Sequence, residues 1–519
     1  MAAGSDMAIS LGTGSGDPTS IDYRQIEEAP MSLRRREFLW SCAGLVAMAC
    51  GGAPRLGAER PSVDLPEADA LGQAAGIRRG DVTSRELVEA TIQRIEALDP
   101  PINSVVTRFF GRALAAADGP LPDGPFRGVP YLLKDLNDLA GTRKTMGSRL
   151  FADFVSTQNS PNTQASLDAG LVILGKTNTP EFGLVATTES ALLGACRNPW
   201  SLDHSTGGSS GGAAAAVAAG ILPMAQASDG GGSIRIPASC CGVFGLKPSR
   251  GRNPSEFENR SIDIAVRHCV SRSVRDSAAY LSVTEQRGAG APLAPTGFVE
   301  GASPRRLRVG FHTRNAYGNE ADPQVRAAVE DTARLCEALG HRVAEATPDY
   351  DGEAFVAHFL SLWTAVPDEL LRGLEARGVD PSQVLEPVTI GMAHRFRRQP
   401  AGAMARAIGF FGAYERRIDA FFDDHDVLLS PVLRTPPIPL GTQGGTLPFE
   451  QVFEPMLDYA SYTPVFNAAG NPAMSVPLGW SREGLPIGSQ FAARIGGEAT
   501  LLALAYELEQ ARPWADRHP

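Results

Sequence analysis

No part of this chain constrains its fold more than the stretch from Ser205 to Pro237, which reads STGGSSGG, then an alanine run, then SDGGGSIRIP. Two serines are bracketed by glycine: Ser209 within Gly207-Gly208-Ser209-Ser210-Gly211-Gly212, and Ser233 after Gly230-Gly231-Gly232. The segment Ala213 to Ala219 between them has one of the best compositions for a helix. Its small side chains let that helix lie tightly against a sheet and bring the two turns together. Glycine reaches dihedrals that a Cβ forbids, so successive N–H groups can converge on one point. A serine closing such a run reads as a nucleophile beside its own oxyanion site.

At 519 residues and 43% hydrophobic content the chain has ample material for two average domains or one large core. A net charge of −10 without a long basic run argues against a nucleic-acid partner and for a small-molecule substrate. With no internal repeat and no glycine- or proline-rich linker, one large α/β domain is expected.

The N-terminus reads differently. Residues 1–30 are polar and rich in glycine and serine, then Arg34-Arg35-Arg36-Glu37-Phe38-Leu39 leads into an apolar run ending at Ala49. This looks like a twin-arginine export signal. The run is far shorter than the roughly 20 residues that span a bilayer, so no stable membrane span is expected and the chain is read as exported to the periplasm or beyond. Leu56-Gly57-Ala58 supplies a cleavage site, and Ala47-Met48-Ala49-Cys50 is a weak lipoprotein box that would place a lipid anchor on Cys50. Met31 is an alternative start. Residues 1–58 are therefore set aside and 59–519 taken as the folded domain. Cys196, Cys240, Cys241, Cys269 and Cys336 remain, an odd set without disulfide spacing. Cys240-Cys241 reads as a pair of small core residues, with no metal site and no cofactor expected.

Along the chain, Thr83-Ser84-Arg85-Glu86 is a capping box opening an amphipathic helix that stops at Pro100. Arg127 to Asp135 reads as a short buried strand that delivers Lys134 at its end, an unusual place for a lysine. Gly170 to Thr177 matches the G-x-x-x-x-G-K-T phosphate loop letter for letter, but Leu171-Val172-Ile173-Leu174 suits a buried strand rather than a loop curling round an anion. Nucleotide binding is accordingly a minor alternative. Residues 250–305 read as loop-rich with one helix from Arg275 to Val283. Leu307 to Phe311, a helix capped by Asp322, and His341 to Ala344 form a strand-helix-strand unit that implies a parallel pair. Residues 352–425 read as helical, with Phe355, Phe359 and Trp363 as core. Asp426 to Pro431, Val465 to Pro477 and Ile487 to Ala492 supply the last sheet elements before a C-terminal helix from Glu498 to Glu509.

Of the eight histidines only His204 lies near a glycine-rich turn, and Ser233 lacks the G-x-S-x-G elbow. Another group must take the serine's proton. Lys134 can do so if burial lowers its pKa, with Ser209 relaying between them. These residues resemble the amidase signature family: GVPYLLKD around Lys134, GKTNTPEFG at 175–183, GGSSGG at 207–212, DGGGSIRIPAS at 229–239, FNAAGNPAMSVPL at 466–478 and GLPIGSQF at 484–491. The likeness covers roughly residues 65–515. It implies a mixed β-sheet core sandwiched by helices, and hydrolysis of an amide bond through an acyl-serine, without cofactor.

The resemblance further implies Ser233 as nucleophile, Ser209 on a cis peptide as the bridging residue, and Lys134 as base. The N–H groups of Gly230, Gly231, Gly232 and Ser233 would form the oxyanion hole, with Asp229, Ser210 and Arg235 as structural support. Many members carry threonine where this chain has Gly230. The three-glycine form is similar to the subgroup that includes 6-aminohexanoate cyclic-dimer hydrolases, which points to small linear or cyclic amides. A non-catalytic binding homologue is the alternative, and a homodimer is an open possibility. An export signal fits poorly with the glutamine-dependent transamidation enzyme, a cytoplasmic relative. Replacing Arg35 and Arg36 by lysine is expected to trap the precursor in the cytoplasm, as followed by cell fractionation; normal export of that variant would remove the signal assignment.

Overall fold

The structure is a computed structural model that describes residues 68–255 and 263–519. The proposed signal, its cleavage sites and Cys50 lie outside the described residues. Three short strands, β1 (Val105–Arg108), β2 (Pro130–Lys134) and β3 (Val172–Thr177), form a small sheet in the order β1-β3-β2. Eight more form the central sheet: β4 (Met224–Asp229), β5 (Phe244–Lys247), β6 (Val266–Ser271), β7 (Arg308–Phe311), β8 (Arg342–Glu345), β9 (Val427–Pro431), β10 (Ala473–Trp480) and β11 (Pro486–Ala493). Their order is β8-β7-β9-β11-β10-β5-β6-β4. β7 pairs in parallel with β8 and β9, and the other neighbours are antiparallel, so the sheet is mixed.

Period-two alternation along the strands feeds two apolar layers. Leu428 on β9 joins the layer containing α1 (Gly211–Ala218) and α2 (Arg235–Cys241), whereas Val427 and Leu429 join the opposite one. That second layer is closed by α3 (Pro323–Ala338), whose Val329 and Ala333 pack there, and by the C-terminal helix Glu498–Ala511 through Leu501, Leu502 and Ala505. The helix-sheet-helix sandwich is the expected α/β architecture. Every residue of α1 is buried. Gly212 shows how close it sits: a Cβ there would come 2.3 Å from the Asn178 backbone nitrogen. The GKTN turn and the GGSSGG turn are thus packed backbone to backbone.

The capping box at Thr83 and Glu86 forms as the sequence requires, Asp322 caps α3, and β7 with β8 is the parallel pair. Gly170 is a left-handed turn leading into the wholly buried β3, and Lys176 faces Asp135 at 3.9 Å inside the protein. The phosphate-loop spelling is therefore a strand. All five cysteines from Cys196 onward are buried and free.

Two expectations are corrected. The stretch 250–305 holds, besides its loops and its one helix, a strand: β6 runs through the sheet between β4 and β5. Arg267 and His268 hid it: these polar neighbours point to opposite faces, so neither face shows the alternation that marks a strand. Val465 to Pro477 is not one sheet element either. Pro464–Ala468 is a short helix with proline in its first turn, and the strand starts only at Ala473.

The segment after β3 is tied to a later helical layer by two buried carboxylates. Between them, the carboxylate oxygens of Glu181 accept from Ser148 Oγ at 2.7 Å and from the Glu386 N–H at 2.9 Å, and Glu386 accepts from the Ala191 N–H at 2.6 Å. Burial, and then the neighbouring Glu181 charge, pushes the Glu386 carboxyl up to about 8. An unfolded glutamate titrates near about 4.3, so folding takes up a proton between these values and stability falls as pH rises through that window. Glu386→Gln keeps the acceptor for Ala191 and removes the titration. Its melting temperature is expected to match the parent at about pH 4 and to exceed it at about pH 9; an equal offset at both would show that folding does not raise the carboxyl's pKa.

Candidate active site

The site is assembled where β2, the two glycine turns and the end of β4 converge. Leu132 and Lys134 project to one face of β2, and Tyr131 and Leu133 to the other, where they join a separate apolar cluster. Lys134 is fully buried. Its backbone N–H donates to Gln226 Oε1 at 3.1 Å, which fixes the strand end against β4. Its Nζ donates to Ser209 Oγ at 2.7 Å and to Ser228 Oγ at 3.0 Å. Burial first, then the nearby Arg267 guanidinium, holds the Lys134 pKa well below the ordinary lysine range, with Asp229 opposing weakly. Arg267 stands opposite Ser228 in the β4–β6 register, which puts its charge on the same face.

Ser209 follows a cis Gly208–Ser209 peptide and opens on the same cavity as Ser228, Gly230 and Ser233. Ser233 is 7% exposed, and Ser209 only 2%. The next serine faces away: Ser210 Oγ donates to the Ser228 carbonyl at 3.2 Å and accepts from the Ser228 N–H at 3.3 Å, which pins the first turn to β4.

Asp229 and Arg235 brace the second turn from behind. The Asp229 carboxylate accepts from the N–H groups of Gly232 at 2.7 Å and Ile234 at 3.1 Å, and from Arg235 Nε and Nη2 at 2.9 Å each. Arg235 uses its other donors on Thr463 O, Gln490 Oε1 and Asn467 Oδ1, at 2.9, 2.7 and 2.6 Å. All five guanidinium N–H groups are then satisfied within a completely buried side chain. Burial works against the Asp229 charge, yet Arg235, with help from Lys247 and Asn467, holds its carboxyl well below the usual range.

That network narrows the expected oxyanion donors. Gly232 N–H is engaged by Asp229 Oδ1, so it is not free. The N–H groups of Gly230, Gly231 and Ser233 donate to no described residue, and all three residues line the cleft. Among the described residues, no group of three or more His, Cys, Asp or Glu is placed to hold a metal ion, and no histidine is bonded to Ser209 or Ser233.

Ser228, Gln226 and Arg267 were not picked out from the sequence, and neither were Thr463, Asn467 and Gln490. Ser228 carried a signal, since it directly precedes the aspartate of DGGGS. Asn467 and Gln490 lie inside FNAAGNPAM and GLPIGSQF, and both are shown here to grip one arginine. Arg267 carried none, because only the β4–β6 register brings it to the lysine. Phe355, Phe359 and Trp363, read as core, also line the cleft.

Removing Arg235 alone would leave a buried, unpaired carboxylate. Arg235→Met is expected to lose about 3–5 kcal/mol in chemical denaturation, and adding Asp229→Asn to recover part of it. A double variant no more stable than the single one would show that charge pairing is not what the arginine contributes.

The arrangement matches known proteins along nearly its whole length. A family model described as Amidase matches residues 86–502. The 6-aminohexanoate-cyclic-dimer hydrolase of Paenarthrobacter ureafaciens is 38% identical over 476 residues, covering 87% of this chain and 96% of that protein. An acylamidase of Rhodococcus erythropolis is 35% identical over 468 residues, with 87% and 96% covered. A solved structure of a 6-aminohexanoate cyclic dimer hydrolase complexed with substrate superposes with a TM-score of 0.80 at 36% identity, over 88% of this chain and 99% of that one. With a family match over most of its length and relatives at this identity, the chain belongs to the amidase signature family and is an enzyme that hydrolyses amide bonds.

Proposed function

We propose that this enzyme cleaves small linear or cyclic amides through a covalent acyl-serine formed on Ser233. The observation that carries the reading is the 2.7 Å contact between Ser209 Oγ and a fully buried Lys134 whose pKa is depressed, opening on the cavity that Ser233 lines. A neutral Lys134 accepts the proton of Ser209 while Ser209 takes that of Ser233. The Ser233 oxygen then adds to the amide carbon, and the resulting oxyanion is met by the N–H groups of Gly230, Gly231 and Ser233. Collapse breaks the C–N bond as the proton returns from Lys134 through Ser209 to the departing nitrogen. Water, deprotonated along the same route, attacks the acyl ester and releases acid and free serine. Ser228 holds the lysine nitrogen from a second side, which keeps its lone pair aimed at Ser209.

The likeness to a substrate-bound cyclic-dimer hydrolase supports a small-molecule amide as substrate. Export by the twin-arginine route is part of the proposal, with Cys50 as an alternative lipid attachment point. No helix among the described residues is long and apolar enough to cross a membrane.

A fluorophosphonate is expected to label the purified mature chain on Ser233, and Ser233→Ala to abolish both label and turnover. Label that persists in that variant would remove Ser233 as nucleophile. Lys134→Met is expected to slow hydrolysis by about 10²–10⁴-fold. Because the unprotonated amine is the active form, kcat/KM should climb with pH through a single ionisation below the ordinary lysine range and then level off. A rate that falls with pH across that interval would contradict the base assignment.

A further inference from the structure

The cleft has two lobes that meet at Ser233. One, of about 430 Å³, is lined by Ser209, Ser228 and Arg267, with Asp263 and Arg372 farther out. The other, of about 60 Å³, is walled by Ile236, Phe355, Phe359 and Leu360 and is almost wholly apolar. Gly183, Leu184, Ser233 and Trp363 belong to both. Trp363 ends the helix α4 (Gly352–Trp363). It stacks on Phe359 with ring centres 5.5 Å apart and planes at 20°, and Phe359 stacks on Phe355 at 5.6 Å. This is a ladder at helical i, i+4, i+8 spacing. The indole N–H donates to the Leu184 carbonyl at 3.2 Å.

The remaining side of the indole lies over the oxyanion turn. A Cβ on Gly230 would come 3.5 Å from the Trp363 ring, and one on Gly231 3.4 Å. Neither glycine adopts a left-handed φ, so the backbone does not demand glycine at either place. The ring lies at ordinary contact distance from both, which leaves room for a Cβ but not for a longer side chain directed at the indole. A branched side chain at 230 would place atoms beyond that Cβ next to the indole.

We propose that Trp363, seated on the side-chain-free Gly230–Gly231 turn, is a specificity-determining residue that divides the cleft into an acyl lobe and an amine lobe. The proposal rests on the acyl-serine reading above. In that chemistry the proton reaches the departing nitrogen from Ser209, so the amine occupies the wide lobe lined by Ser209 and Ser228. The acyl group enters the narrow lobe of Ile236, Phe355 and Phe359. The preferred substrates are therefore amides that join a slender, uncharged acyl group to a bulkier, polar amine.

The test holds the amine constant and varies the acyl group: acetyl, butanoyl and diphenylacetyl p-nitroanilides, with kcat/KM for each. The parent is expected to favour butanoyl over diphenylacetyl by about a hundredfold or more, and Trp363→Ala to narrow that ratio by about tenfold or more. Gly230→Thr alone, which keeps Trp363 and so covers the case in which Trp363→Ala folds poorly, should lower kcat/KM and shift the same ratio, and the loss should be relieved when the two are combined. An equal loss for all three acyl groups, with the ratio unchanged, would make Trp363 merely structural and overturn the proposal, as would a parent preference for diphenylacetyl. No turnover of any anilide together with an unlabelled Ser233 under fluorophosphonate would instead undo the acyl-serine reading beneath it.

Discussion

A lysine held out of water is the condition on which the rest of this site depends. Exposed, Lys134 would keep its proton at neutral pH and could accept none from a serine. Burial on β2 removes the solvent that favours the ammonium, and the like charge of Arg267 presses in the same direction. Each pKa unit of that displacement is about 1.4 kcal/mol of folding free energy set against the chain. The surroundings therefore have to be rigid and well packed. The alanines of α1 and the backbone contact between Gly212 and Asn178 supply that rigidity. The Gln226 carboxamide adds a direct hold on the strand end.

The second turn obeys a different electrostatic rule. There the buried charges are paired, and the Asp229–Arg235 couple is completed by Thr463, Asn467 and Gln490 from segments more than two hundred residues downstream. The Arg267 charge beside Lys134 depresses its pKa, and the Asp229–Arg235 pair behind Ser233 stabilises the turn geometry. The two arrangements meet at the C-terminal end of one short strand, β4, where Ser228 contacts the lysine and the adjacent Asp229 the arginine. This explains why the chain invests its most buried arginine in a residue that touches neither lobe of the cleft.

Much of the scaffold was legible because local rules govern it. The capping box at Thr83, the Asp322 cap, the parallel pair β7–β8 and the buried strand disguised as a phosphate loop follow from residue type and periodicity. What escaped were features whose cause lies elsewhere in the chain. β6 breaks alternation because Arg267 serves the cleft on one face while His268 bonds Ser277 on the other. Ser228 looks like any strand serine until the lysine arrives beside it. Trp363 reads as one more aromatic on a core helix, and only its position over two glycines separates it from Phe355.

By itself the sequence determined the chemistry available: two glycine-bracketed serines, a lysine at a strand end, and no histidine placed to act as base. Those are covalent facts, and the resemblance to a family follows from them. Only the tertiary structure decided the state of that chemistry, because protonation depends on burial and neighbouring charge, and a donor is free only if nothing else accepts from it. Folding depresses the Lys134 pKa, engages Gly232 with Asp229, and leaves Gly230, Gly231 and Ser233 facing a cleft that Trp363 divides.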